Sequence, residues 1–144
     1  MYATNRDEAI EIMNDGFLKV FKYIKKYDQK KPFKPWLKTI MIHSGVDYFN
    51  KNKKQSQEVE LTEAMNKSVN ETALDSISYD EVLEMIQKLP DRYRTVFNLI
   101  AIEGYTHREV AEMLGISQGT SKSNYARAKH KLQEYLNLFF EIEK

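Results

Sequence analysis

The 144-residue chain contains no cysteine. That excludes a disulfide framework and any thiolate-held metal, and it fits a reducing, cytoplasmic setting. No apolar run approaches the roughly 20 residues that a membrane-spanning helix needs. The N-terminus lacks the apolar core of a signal peptide, so no membrane insertion is expected. No stretch alternates polar and apolar residues as a half-buried strand does. Catalytic constellations are missing too. His43, His107 and His130 are scattered, and none has a second His or a carboxylate at ligand spacing on a shared face. Asp47 lies near His43 and Ser44, but so short a helical span cannot arrange a triad. There is no phosphate-binding glycine loop. The sequence therefore points away from an enzyme, and no cofactor or metal is expected.

What is present is segregated charge. The formal net charge of +1 hides 12 Lys and Arg against 6 Asp and Glu in residues 1–54, then 2 against 8 in residues 55–90. Residues 91–144 carry 8 against 7, with the cations gathered on one stretch. Two basic surfaces flanking an acidic connector suit a polyanion touched at two places, although a plain solvated surface can show the same blocks.

Hydrophobic residues make up 42% of the chain, enough for packed cores, and their spacing is helical. Residues 5–28 form one amphipathic stretch with Ile10, Met13, Phe17, Val20, Phe21 and Ile24 as its apolar stripe. A second helix is predicted from Pro35 to about Asn52, with Leu37, Ile40, Met41, Ser44 and Tyr48 on one side. Phe33, Trp36, Tyr48 and Phe49 alternate there with Lys31, Lys34, Lys38 and Lys51. Aromatic rings among cations can stack unpaired bases while lysines hold phosphates. Core packing is the plainer reading for most of these rings, and Trp36 is the functional candidate. Residues 53–78 are polar and acidic, without a period, and read as a flexible linker with one frayed turn around Leu61–Met65. A short helix with Val82, Leu83 and Ile86 then ends before Pro90, and a further one with Tyr93, Val96, Phe97 and Ile100 stops at Gly104. The expected fold is all-α: two small helical modules, residues 1–54 and 79–144, joined by an acidic linker over 55–78.

The most specific stretch runs from Tyr105 to Leu136. Thr106 and Glu109 have the spacing of a capping box, and Val110, Ala111 and Leu114 share one face of a short helix. Gly115 suits a left-handed helix end, Ile116 buries in the turn, and Ser117 caps the next helix. Two helices joined so tightly form a helix-turn-helix. On the second helix Ser121, Tyr125, Ala128, Leu132 and Phe139 line the core side, while Gly119, Thr120, Ser123, Asn124, Arg127, His130 and Lys131 lie around the other. From Ser117 to Lys131 it carries Lys122, Arg127, Lys129 and Lys131 and no acid. A helix entering the major groove needs small residues for close approach and cations, hydroxyls and amides to meet phosphates and base edges. The DNA-binding set is accordingly Gly119, Thr120, Lys122, Ser123, Asn124, Arg127 and Lys131, with an ordinary solvated face as the bland alternative.

Two segments resemble the bacterial sigma factors of the extracytoplasmic-function group. Leu89-Pro90, Arg92-Tyr93-Arg94, Val96-Phe97, Glu103-Gly104, Glu109-Val110-Ala111, Leu114-Gly115-Ile116-Ser117, Gly119-Thr120, Lys122-Ser123, Arg127-Ala128 and Lys131-Leu132 resemble the group's C-terminal region. Phe17-Leu18-Lys19-Val20-Phe21, Phe33-Lys34-Pro35-Trp36-Leu37, Thr39-Ile40 and Asp47-Tyr48 resemble its second region. The resemblance implies a polymerase specificity subunit with core RNA polymerase, promoter DNA and an anti-sigma factor as partners, no cofactor, and a monomeric free state. It places polymerase binding on Glu11, Asn14, Asp15 and Phe17, and promoter melting on Phe33, Lys34, Trp36, Lys38 and His43. The upstream promoter element would be read by the recognition helix.

Several positions depart from the family pattern. Its usual Arg-Asn pair after the tryptophan helix is Ile42-His43 here, and Asn14 stands where Gln is favoured. Ser121 stands where an apolar residue is usual and Asn124 where Arg is usual. The first module is expected to be short at its N-terminus, and the apolar Leu138–Ile142 tail is expected to dock on the second module. Two other classes stay open. One is a helix-turn-helix regulator without a polymerase role, and the other a truncated sigma factor acting only as an interaction protein. Limited proteolysis is expected to cut first between residues 53 and 78. A single resistant core uncut there would count against the two-module reading.

Overall fold

A computed structural model describes residues 2–52 and 76–142, and the expected linker lies outside them apart from its last three positions. The chain divides between Ser56 and Gln57 into two compact units. Every regular element among the described residues is helical.

The first unit is a helical hairpin. Helix α1 spans Arg6–Tyr23, continues as a 3₁₀ turn over Ile24–Lys26, and is followed by α2, Phe33–Asn52. Asn5 caps α1 by accepting from the Glu8 amide at 2.9 Å, while the Thr4 amide donates to the Glu8 carboxylate at 2.7 Å. Asp7 and Glu8 place negative charge where the first-turn amides point outward. Pro35 lies in the first turn of α2, whose amides have no intrahelical acceptor, so its missing N–H costs nothing there.

The hairpin packs through small residues. Gly16, the buried residue of α1, lies against Met41 and Ser44, and Ile42, Ser44, Gly45 and Val46 are the buried residues of α2. The apolar stripe read from the sequence lies elsewhere. Ile10, Met13, Phe17, Phe21 and Ile24 are 41–78% exposed, so this stripe faces outward from the hairpin. A two-helix hairpin has one interface, and here the glycine face occupies it because backbones approach most closely where no side chain intervenes.

The second unit begins with α3, Tyr79–Lys88, and α4, Asp91–Phe97, which runs on as a π-helical segment over Asn98–Ile102. Helices α5, His107–Leu114, and α6, Gln118–Ile142, complete it. A full capping box opens α3: Ser78 Oγ accepts from the Glu81 amide at 3.2 Å, and the Glu81 carboxylate accepts from the Ser78 amide at 2.8 Å. The core is built from Ile86, Leu89, Tyr93, Val96, Leu99, Val110, Leu114 and Ala128. Arg94 is buried beside it as a clasp. Its guanidinium donates to the carbonyls of Gln87 and Leu89 at 2.9 and 3.1 Å and to Asp91 at 2.5 Å. The end of α3 is thereby tied to α4, and the two terminal nitrogens of a buried charge meet acceptors that an apolar core lacks, while Nε has no partner.

The apolar tail continues α6 as helix to Ile142, where Tyr135 donates to the Lys88 carbonyl at 3.4 Å. Phe139 and Phe140 meet edge-on at 5.4 Å.

Gly45 generates a test of the first unit. A Cβ there would lie 2.8 Å from Cγ and Cδ2 of Tyr2, too close for a rigid ring to yield without moving. Gly45→Ala is expected to expel Tyr2 and cost about 1–3 kcal/mol, read as a lower thermal midpoint. An unchanged midpoint would show that Tyr2 is not held against α2.

Candidate nucleic-acid interface

The helix-turn-helix is made by local chemistry. Thr106 accepts from the Glu109 amide at 3.1 Å and so opens α5. Gly115 closes it in the left-handed region at φ 66°, which lets the Ile116 amide reach the Ala111 carbonyl at 3.1 Å. Ser117 then accepts from the Thr120 amide at 3.0 Å and donates to the Thr120 hydroxyl at 2.9 Å. Helix α6 starts there with its first turn capped.

Ser121, Asn124 and Ala128 are buried along α6. Gly119, Lys122, Ser123, Ala126 and Arg127 are exposed on the side turned away from the core, and Thr120 and Lys131 are half-buried at its margins. No acid lies between Ser117 and Lys131. One member of the sequence-derived set is corrected. Asn124 is only 2% exposed and its Nδ2 finds no hydrogen-bond partner, so it lies on the buried side of α6 rather than around the outer one. The residue lies three positions after Ser121 and four before Ala128, squarely on the buried stripe.

Tyr125 links the helices. Its ring stacks on Phe97 at 6.0 Å, meets the His107 ring edge-on at 5.7 Å, and carries Lys129 Nζ at 4.6 Å from its centroid. Lys129 is thus held along α6 by a cation–π contact. His107 Nδ1 is 2.8 Å from the Ser121 hydroxyl, so the buried serine has a partner.

In the first unit the promoter-melting candidates cluster around rings. Trp36 is half-buried between Tyr27 and Phe33, with centroids 5.0 and 5.6 Å away, and Tyr27 and Phe33 meet edge-on at 5.6 Å. The tryptophan packs on this pair. Tyr27 was missed in the sequence, although its hydroxyl, donating to the Lys31 carbonyl, ties the loop that carries the trio. Phe33, Lys34 and Lys38 are exposed, and His43 is exposed two turns beyond Trp36.

The polymerase-binding candidates do not share one face. Glu11, Asn14 and Asp15 line a groove of about 700 Å³ between α1 and the later half of α2, with Asp7, Asp47 and Tyr48. Phe17 is on the open apolar stripe instead. Within the groove Lys19 spans Asp47 at 2.6 Å and Asp15 at 3.1 Å. Burial alone would lower the Lys19 pKa, but hydrogen bonds and charge from Asp47 and Asp15 outweigh it and leave the value raised. The associated stabilisation is present below lysine's ordinary pKa and disappears as pH rises through the folded value. At these exposed carboxylates it amounts to about 0–1 kcal/mol.

Among the described residues no cluster of His, Asp and Glu could hold a metal, and no helix is long and apolar enough to cross a membrane. The description "Sigma-70 region 2" matches residues 2–55, and "Sigma-70, region 4" matches residues 79–132. The chain is 28% identical over 134 residues to the ECF RNA polymerase sigma factor SigM of Bacillus subtilis, covering 90% of this chain and 80% of that protein. It is 29% identical over 144 residues to SigW of the same organism, covering 92% and 77%. Its fold resembles that of the sigma factor RpoE in complex with the anti-sigma factor NepR from Bartonella quintana. That match has a TM-score of 0.55 at 21% identity and covers 94% of this chain and 85% of that one. With region 2 on the ring-bearing hairpin and region 4 on the helix-turn-helix, the chain belongs to the sigma-70 family, as a sigma factor of the extracytoplasmic-function group.

Proposed function

We propose that this sigma factor works in the cytoplasm, where it joins core RNA polymerase, directs it to a particular promoter set and helps open the DNA. The observation that carries the reading is the bare, acid-free outer face of α6 on a chain that matches region 2 and region 4 in that order. Lys122, Ser123 and Arg127 meet base edges of the upstream element, Gly119 lets the backbone come close, and Thr120 and Lys131 lie nearer phosphates. Asn124 supports this surface from beneath.

In the first unit Glu11, Asn14 and Asp15 engage polymerase through the groove, and Phe17 does so from the apolar stripe. The Tyr27–Phe33–Trp36 trio supplies a ring surface for an unpaired promoter base, with Lys34, Lys38 and His43 beside the strand. Residues 1–54 and 79–144 form the two working modules, with 55–78 connecting them. An anti-sigma factor is the expected regulatory partner, since the RpoE relative is found with one. The function is recruitment and melting rather than catalysis.

A gel shift with and without core polymerase separates this role from that of a self-sufficient regulator: promoter DNA should be retarded strongly only with polymerase present. On that complex, Arg127→Ala is expected to cost about 1–3 kcal/mol and relax discrimination at one base pair. Lys131→Ala should weaken all sequences alike and reduce the salt slope by about 1. Asn124→Leu, which keeps the branch at Cγ and removes the unpaired amide, should leave discrimination intact. Equal losses on every promoter from Arg127→Ala and Lys131→Ala would remove Arg127 from base readout, and lost discrimination in Asn124→Leu would reinstate Asn124.

A further inference from the structure

We propose that the hydrogen bond between His107 and Ser121 fixes the angle at which α6 meets DNA, so that promoter selectivity depends on two residues that touch no base. The proposal rests on the reading of α6 as the promoter-reading helix.

Ser121 is wholly buried in the first turns of α6, at 0% exposure. A hydroxyl there must find a partner inside the protein, and His107 Nδ1, at 2.8 Å, is that partner. His107 is the first residue of α5, so the bond crosses from one helix of the motif to the other. One turn further along α6, Tyr125 meets the same imidazole edge-on at 5.7 Å. The His107 ring is therefore gripped by two consecutive turns of the recognition helix.

The buried side chains of α5, Val110, Ala111 and Leu114, are apolar and have no preferred direction. Such a surface tolerates sliding, whereas a buried hydrogen bond restricts both distance and angle. Arg127 lies six residues past Ser121, about 9 Å along the axis. A tilt of about 5° about Ser121 therefore carries its backbone roughly 0.8 Å, enough to spoil an N–H···O contact to a base edge. Phosphate contacts, which demand less of geometry, survive such a shift. Loss of the bond should thus degrade discrimination before it degrades recruitment.

The test uses the full chain with core polymerase, transcribing in vitro from pooled genomic fragments and from single-base variants of the upstream elements they reveal. The readout is the transcript ratio of preferred promoters over those variants, alongside thermal melting and polymerase pull-down. Ser121→Ala and His107→Leu should each lower the ratio about tenfold, the scale of one lost buried hydrogen bond. Polymerase capture should stay unchanged. Alanine is the better helix former, so Ser121→Ala keeps the fold and decides alone should His107→Leu fail to fold. His107→Asn, whose amide reaches the place of Nδ1, should restore the ratio to within about twofold of the parent. The double variant Ser121→Ala with His107→Leu should lose no more than either single one, the signature of a shared interaction.

Parent-like ratios in Ser121→Ala would overturn the proposal, as would His107→Asn performing no better than His107→Leu. In either case the promoter-reading role of α6 stands, provided the parent still discriminates. A parent that ignores the upstream element altogether would sink both.

Discussion

A helix that reads DNA has to leave one face bare, and it keeps its aim only if the opposite face is gripped. Helix α6 meets this constraint with unusually little apolar material. Its buried face in the recognition turns consists of Ser121, Asn124 and Ala128, two polar residues and a methyl group. Small side chains let α6 lie close to its neighbours, but they bury little apolar area and hence contribute little undirected attraction. Much of the restraint therefore passes to directed contacts. These are the Ser117–Thr120 cap, the His107–Ser121 bond, and the Tyr125 ring held between Phe97 and His107. Arg94 acts in the same way one layer back, binding two carbonyls at the end of α3 and so fixing the platform on which α4 rests.

Features set by neighbouring residues were legible in the sequence. The Gly115 turn, the Ser117 cap and the stop before Pro90 each follow from backbone chemistry within four residues, and each stands where the spacing puts it. Where chemistry and periodicity disagreed, the reading went astray. Asn124 was assigned to the outer face for its amide, although its spacing from Ser121 and Ala128 is that of the buried stripe. The contact of Trp36 with Tyr27 is not legible in the sequence, because Tyr27 lies nine residues upstream across a loop, beyond any helical spacing.

The stripe on α1 shows a different limit. Periodicity reports that a face is apolar and says nothing about what covers it. Ile10, Met13, Phe17 and Phe21 recur as faithfully as core residues do, yet α2 packs against the Gly16 face. Hairpins of two helices have too little interior to enclose two apolar stripes, so one of them must look outward. Exposed apolar surface of this kind is what assembly interfaces are made from.

The same economy governs affinity for DNA. Helix α6 offers Lys122, Arg127, Lys129 and Lys131, and one of these already lies over the Tyr125 ring. Each phosphate neutralised contributes about 0.9 to the salt slope, so three or four cations support only weak binding at cellular ionic strength. Weakness is an asset in a subunit that must find one promoter set without lodging on bulk DNA. Specific binding then arises when a second attachment on the same chain raises the effective concentration of α6 at the promoter. With so few cations α6 holds DNA weakly on its own, and specificity needs that second attachment.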